Sequence, residues 1–210
     1  MRLVMFHPPG VPMERGWVGR IDGDRVVHLA AQTLQSFFTG GGAAREHASY
    51  PLDGSVLLAP VLNPPTVRIF DQEEQFAFAN ANAIVSPGTS IDRPAGAATV
   101  DVLLRPTAVI GAEEQLAGFT LLAEARAPSL PPPKDRDFAL LLGPSMLTPD
   151  EWVPHGFGWD AAAAFARLNT ALAPGDLIAG PPTAAAYGLG PGAGFRLDGA
   201  PLGALTGAIS

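Results

Sequence analysis

Thr99-Val100-Asp101-Val102-Leu103-Leu104-Arg105-Pro106-Thr107-Ala108-Val109-Ile110 is the stretch on which the fold turns. It reads as one long β run, rich in aliphatic residues. Pro106 removes a ladder donor, which predicts a sheet edge or a bulge there. Moving outward, Glu113 to Leu116 fits one helical turn and Phe119 to Ala123 a short apolar strand. Phe138 to Leu147 reads as a further strand, after Pro131-Pro132-Pro133, which excludes helix and sheet interior. Toward the other end, Thr66 to Phe70 reads as a strand and Ile84-Val85 precedes the turn Ser86-Pro87-Gly88. Trp159 to Leu168, with four central alanines, is the best helix in the chain. Leu177 to Ala179 is a strand after a turn at Pro174-Gly175, and Gly194 to Ile209 contains a hairpin around Asp198-Gly199.

The first sixty residues read as a separate small unit. Arg2 to His7 is a strand, and Trp17 to Leu29 is a hairpin turning on Asp22-Gly23-Asp24, where Gly supplies the positive φ of a tight turn. Ala30 to Phe38 has helical spacing, Gly40-Gly41-Gly42 ends it, and residues 40–53 read as a loop. Ser55 to Val61 is a strand leading to a boundary at Asn63-Pro64-Pro65. Strands outnumber helices and do not alternate with them, which disfavours a doubly wound parallel sheet. The expected class is a mixed, β-rich α+β fold.

The 210 residues are 47% hydrophobic, enough for a sizeable core, and only 16% charged, against about 25% in an average chain. So low a charge fits a surface partly covered by a homo-oligomer contact; a coding bias toward Ala, Gly and Pro accounts for it equally. The net charge is −7 and the basic residues do not cluster, which argues against nucleic acid as a partner. The absence of cysteine removes disulfides, thiol nucleophiles and thiolate metal sites. No apolar stretch is long enough for a membrane span, and the plain reading is a soluble cytoplasmic protein.

Several segments together resemble the fumarylacetoacetate hydrolase family. They are Gly23-Asp24-Arg25-Val26-Val27-His28-Leu29, Leu57-Leu58-Ala59-Pro60-Val61, the run from Phe76 to Gly88, Asp137-Phe138 with Leu142-Gly143-Pro144 and Leu147-Thr148-Pro149-Asp150-Glu151, and Leu172-Ala173-Pro174-Gly175-Asp176-Leu177-Ile178. Their order holds over almost the whole chain. The resemblance implies a small N-terminal α/β domain at residues 1–60, a β-roll domain at residues 64–210, and a homodimer.

Family enzymes hold Mg²⁺, Mn²⁺ or Ca²⁺ with carboxylates, because hard cations want several oxygen ligands and the metal polarises an oxo-acid. Aligned on Val109-Ile110-Gly111, the family's paired glutamates fall on Leu103 and Arg105. A third ligand falls on Glu124, which keeps a carboxylate, and a fourth on Ile69. The family histidine is missing, since Glu74-Gln75 runs directly into Phe76, and the family lysine falls on Arg136, next to a matching Asp137. Arginine stays protonated and shuttles protons poorly. The family's Gly-Thr pair falls on Pro181-Pro182, where no amide proton remains. The resemblance therefore implies no bound metal or other cofactor and no assigned catalytic residue. Arg105, Glu124, Arg136 and Asp137 are the vestigial pocket candidates, with Arg105, Arg136 and Glu124 free to form ion pairs across it.

On this reading the chain is a pseudoenzyme that binds or scaffolds. One alternative is a divergent hydrolase, decarboxylase or tautomerase acting on oxo-acids or acylpyruvates, with Arg105 and Arg136 stabilising an enolate. The other is a module that binds small carboxylates with those two arginines. The remaining features read as structural. His7, His28, His47 and His155 lack ligand spacing, Asp71, Glu73 and Glu74 read as a solvated acidic loop, and the glycines from 188 to 194 form a loop without phosphate-binding signals.

Overall fold

A computed structural model describes residues 1–11, 13 and 15–210. Its N-terminal part comprises β1 (Arg2–His7), β2 (Trp17–Asp22), β3 (Arg25–Leu29), α1 (Leu34–Thr39), β4 (Glu46–Pro51) and β5 (Val56–Leu58). There follow β6 (Val67–Gln72), β7 (Gln75–Ala79), β8 (Ile84–Val85), β9 (Ser90–Ile91), β10 (Val100–Ile110) and β11 (Leu116–Arg126). The rest is β12 (Leu140–Leu142), β13 (Met146–Leu147), α2 (Trp159–Ala166), β14 (Leu177–Ala179), β15 (Ala184–Leu189), β16 (Gly194–Asp198) and β17 (Ala204–Ile209). The architecture is the β-rich mixed fold expected. Among the described residues, 14 strands share one hydrogen-bonded sheet, whose main path runs β4-β3-β2-β1-β13-β11-β10-β14-β6-β7, and β16-β17-β9 form a second sheet. Among the described residues, no helix is long and apolar enough to cross a membrane.

The long run at residues 99–110 is the spine. β10 pairs antiparallel with β11 from Asp101 opposite Arg126 to Val109 opposite Gly118. Its other edge is shared by two strands, β15 against Val100 to Leu104 and β14 against Thr107 to Val109. Pro106 sits in the gap between them. Its missing N–H therefore costs the sheet nothing on that side, and its carbonyl accepts from the Gly180 amide at 2.9 Å. The proline is thus neither at an outer edge nor at a bulge; it marks where one flanking strand hands over to the next.

Three sequence expectations shift. The strand expected at 138–147 is two short strands, β12 and β13, divided at Gly143, whose φ of +127° only glycine adopts readily. The helix expected from Ala30 begins at Leu34, capped by the Thr33 hydroxyl on the Ser36 amide at 3.0 Å. The loop expected at 40–53 contains β4, an almost wholly exposed strand at the sheet end.

α2 lies over the sheet. Trp159, Ala162, Ala163 and Ala166 form its buried stripe at helical spacing, packed with Phe70, Ala108, Ile110, Phe119 and Ile178. A second core gathers Leu3, Met5, Val18, Leu34 and Phe37 from the N-terminal segment with Leu122, Leu140, Met146 and Leu177. Each such large side chain contributes roughly 1.5–3 kcal/mol on burial.

On the outer strands, Trp17 stacks on His28 with ring centroids 4.4 Å apart and planes within 6°. Burial, and then the nearby His47, lower the pKa of His28 from its usual 6.5. A folded-state value below the unfolded one gives stability that is complete above about pH 6.5 and lost as pH falls through that value. The thermal midpoint should therefore drop between pH 7.5 and 5.5, and less steeply in His28→Gln. An equal slope in the two proteins would refute the assignment.

Candidate functional site

The site lies where β10 and β11 face each other. Alternate residues of a strand share a face, so Leu103 and Arg105 project together, and register sets Leu103 opposite Glu124 and Arg105 opposite Leu122. Glu124 is fully buried and Arg105 is 1% exposed. Arg105 Nε donates to Glu124 Oε2 at 2.8 Å. Its Nη1 donates to Asp71 Oδ1 at 3.0 Å and to the Gly180 carbonyl at 2.9 Å. Arg126 closes on the same carboxylate from the other side, with Nε to Oε1 at 2.9 Å and Nη2 to Oε2 at 3.1 Å. Both Glu124 oxygens thus accept from guanidinium nitrogens, in the charge-assisted geometry that makes such bonds strong.

The other expected residues divide. Arg136 lies at the rim, its Nη1 4.0 Å from Glu124 Oε1 and its Nε 3.4 Å from Asp135 Oδ2. Asp137 faces away and accepts from Lys134 Nζ at 2.7 Å. Leu103 is buried beside Glu124, and Ile69 is buried in β6. A cleft of about 370 Å³ opens next to the network, lined by Ile69, Asp71, Gln72, Gln75, Phe76, Ala77 and Arg136.

Two members were missed. Arg126 stands two residues after Glu124 on one strand, a spacing that puts them on one face, and that signal was readable. Asp71 was assigned to a solvated acidic loop. It is the penultimate residue of β6 and is mostly exposed, but one oxygen reaches Arg105. Glu73, from the same cluster, accepts from the Gly158 amide at the start of α2. Among the described residues, no three His, Asp or Glu side chains converge in an arrangement able to hold a metal ion.

No family model and no curated protein matches the sequence. Solved structures do match in shape. The 5-carboxymethyl-2-hydroxymuconate delta-isomerase from Mycobacterium smegmatis superposes with a TM-score of 0.76 at 19% identity, over 100% of this chain and 99% of its own. Maleylpyruvate hydrolase from Sphingobium sp. SYK-6 gives 0.75 at 20% identity, over 100% and 99%. A 2-keto-3-deoxy-D-arabinonate dehydratase, complexed with magnesium and 2,5-dioxopentanoate, gives 0.80 at 12% identity, over 100% and 99%. By name these are an isomerase, a hydrolase and a dehydratase, and at such identities the likeness establishes the fold alone.

Proposed function

We propose that this fumarylacetoacetate-hydrolase-type fold has given up metal-dependent catalysis and serves as a binding protein for a small carboxylate-bearing molecule. The observation that carries the reading is the Arg105–Glu124 pair at 2.8 Å, buried and closed by Arg126. Mg²⁺ and Mn²⁺ are best served by several carboxylate, carbonyl or water oxygens. Here the buried carboxylate has both oxygens taken by arginine, the exposed Asp71 has one oxygen on Arg105, and the family positions beside them are Leu103, Ile69 and a fixed positive charge. That donor set does not fit a hard divalent cation. The adjoining cleft supports the ligand class. Arg136 makes one side-chain hydrogen bond, 3.4 Å from Nε to Asp135, and a loose 4.0 Å ion pair from Nη1 to Glu124, which leaves its terminal nitrogens for an incoming carboxylate.

The fold neighbours are catalysts by name, so the test covers metal and turnover together. Titration with Mg²⁺ and Mn²⁺ should show no stoichiometric binding, and acylpyruvates and oxaloacetate should not be consumed with or without EDTA. One bound ion per chain at micromolar affinity, or EDTA-sensitive turnover, would overturn the proposal.

A further inference from the structure

The four histidines are far apart in sequence, yet the sheet brings two of them together. His28 lies in β3 and His47 in β4, with ring centroids 5.0 Å apart and planes inclined by 31°. The register explains the meeting. Val27 pairs with Ser49 and Leu29 with Glu46, so the single residue His28 faces two residues, His47 and Ala48. Such a bulge re-aims a side chain, and here it turns His47 onto the face His28 already occupies. Trp17 packs flat on His28, 4.4 Å between centroids, and holds that ring in place.

We propose that His28 and His47 form a two-histidine chelate for a borderline divalent transition ion of the zinc, copper and nickel class. The separation suits one ion. With metal–nitrogen bonds of 2.0–2.1 Å and ring centres roughly 1.1 Å further out, two imidazoles on a tetrahedral ion have centroids roughly 5 Å apart. Imidazole selects these metals over Mg²⁺ and Ca²⁺, which prefer oxygen. Stacking on Trp17 leaves His28 few orientations to lose on binding. Two arginines of the neighbouring strands are already engaged: Arg20 with Glu46 at 2.9 Å and Arg25 with the Ser49 hydroxyl at 2.7 Å. His47 is exposed, so the ion has a path in. No third described His, Asp or Glu side chain joins the pair, so the remaining positions belong to water or to a donor on a bound molecule. This site is separate from the Arg105–Glu124 pocket and stands or falls independently of its function.

The test uses the full chain without a histidine tag. Zn²⁺ titrated by calorimetry at neutral pH should bind one ion per chain, while Mg²⁺ gives no heat. The His28 and His47 ring resonances should shift together, with those of His7 and His155 unchanged. His47→Ala, at an exposed position, should fold normally and bind Zn²⁺ about tenfold more weakly or worse. The proposal is overturned if Zn²⁺ does not saturate below about 1 mM, if His47→Ala binds as well as the parent, or if His7 or His155 carries the shift.

Discussion

Glu124→Ala is expected to lower the free energy of unfolding by about 3–5 kcal/mol, the usual cost of stranding one member of a buried ion pair. Arg105 would keep its charge in the interior, with Asp71 at 3.0 Å as its remaining carboxylate, and Asp71 is largely exposed and screened. Arg126 would also lose its partner, but it reaches solvent and suffers less. The contrast that identifies the mechanism is the double variant Arg105→Met with Glu124→Leu. Removing both charges and filling the space should cost far less than Glu124→Ala, because burying an ion pair is itself expensive. Urea unfolding of the single and double variants gives the cycle. A Glu124→Ala protein within about 1 kcal/mol of the parent would mean that the pair does not form as described.

Asp176→Ala is expected to cost a similar amount, about 3–5 kcal/mol, at a second buried ion pair. Asp176 is 2% exposed and joins three residues. Its Oδ1 accepts from the Thr66 hydroxyl at 2.6 Å, its Oδ2 from the Ala173 amide at 2.8 Å, and it lies 3.4 Å from Arg68 Nη1. Arg68 is itself buried, its Nε has no partner among the described residues, and its guanidinium faces the Phe76 and Phe78 rings at 5.7 and 5.4 Å. Without Asp176 that cation has only Thr66 and aromatic faces, and the parallel pairing of β6 with β14 loses its clasp. Asp176→Asn keeps the shape but only one of the two acceptor oxygens and should fall between. If Asp176→Asn matches the parent in its urea midpoint, the charge is not what matters there.

The strands that were legible are the buried ones. β14 is wholly apolar, and β1, β6, β10 and β11 are dominated by buried aliphatic and aromatic residues; burial is what wrote that bias. β4, β7 and β15 escaped notice because they are largely exposed and lack a clean alternation. Ala184 to Ala186 in particular carries no strand preference of its own. Tertiary pairing alone makes them strands. The pocket divides along the same line. That Arg105 and Glu124 might pair across it could be inferred from their aligned places, because both lie on legible strands. The meeting of His28 with His47 depends on a one-residue bulge in an unrecognised strand, and no spacing rule announces it.

The pairing of β1 with β13 has a consequence for how the chain is made. Arg2 and Leu3 lie opposite Leu147 and Met146, so one of the earliest strands finds this neighbour only after most of the protein exists. At translation rates of about 5–20 residues per second, that partner emerges from the ribosome roughly 7–30 s after the first strand. Until then Leu3 and Met5 lack Leu140 and Met146, which complete their core. The nascent N-terminal hairpin must therefore wait with an apolar face open, a period in which a chaperone or a wrong strand can claim it.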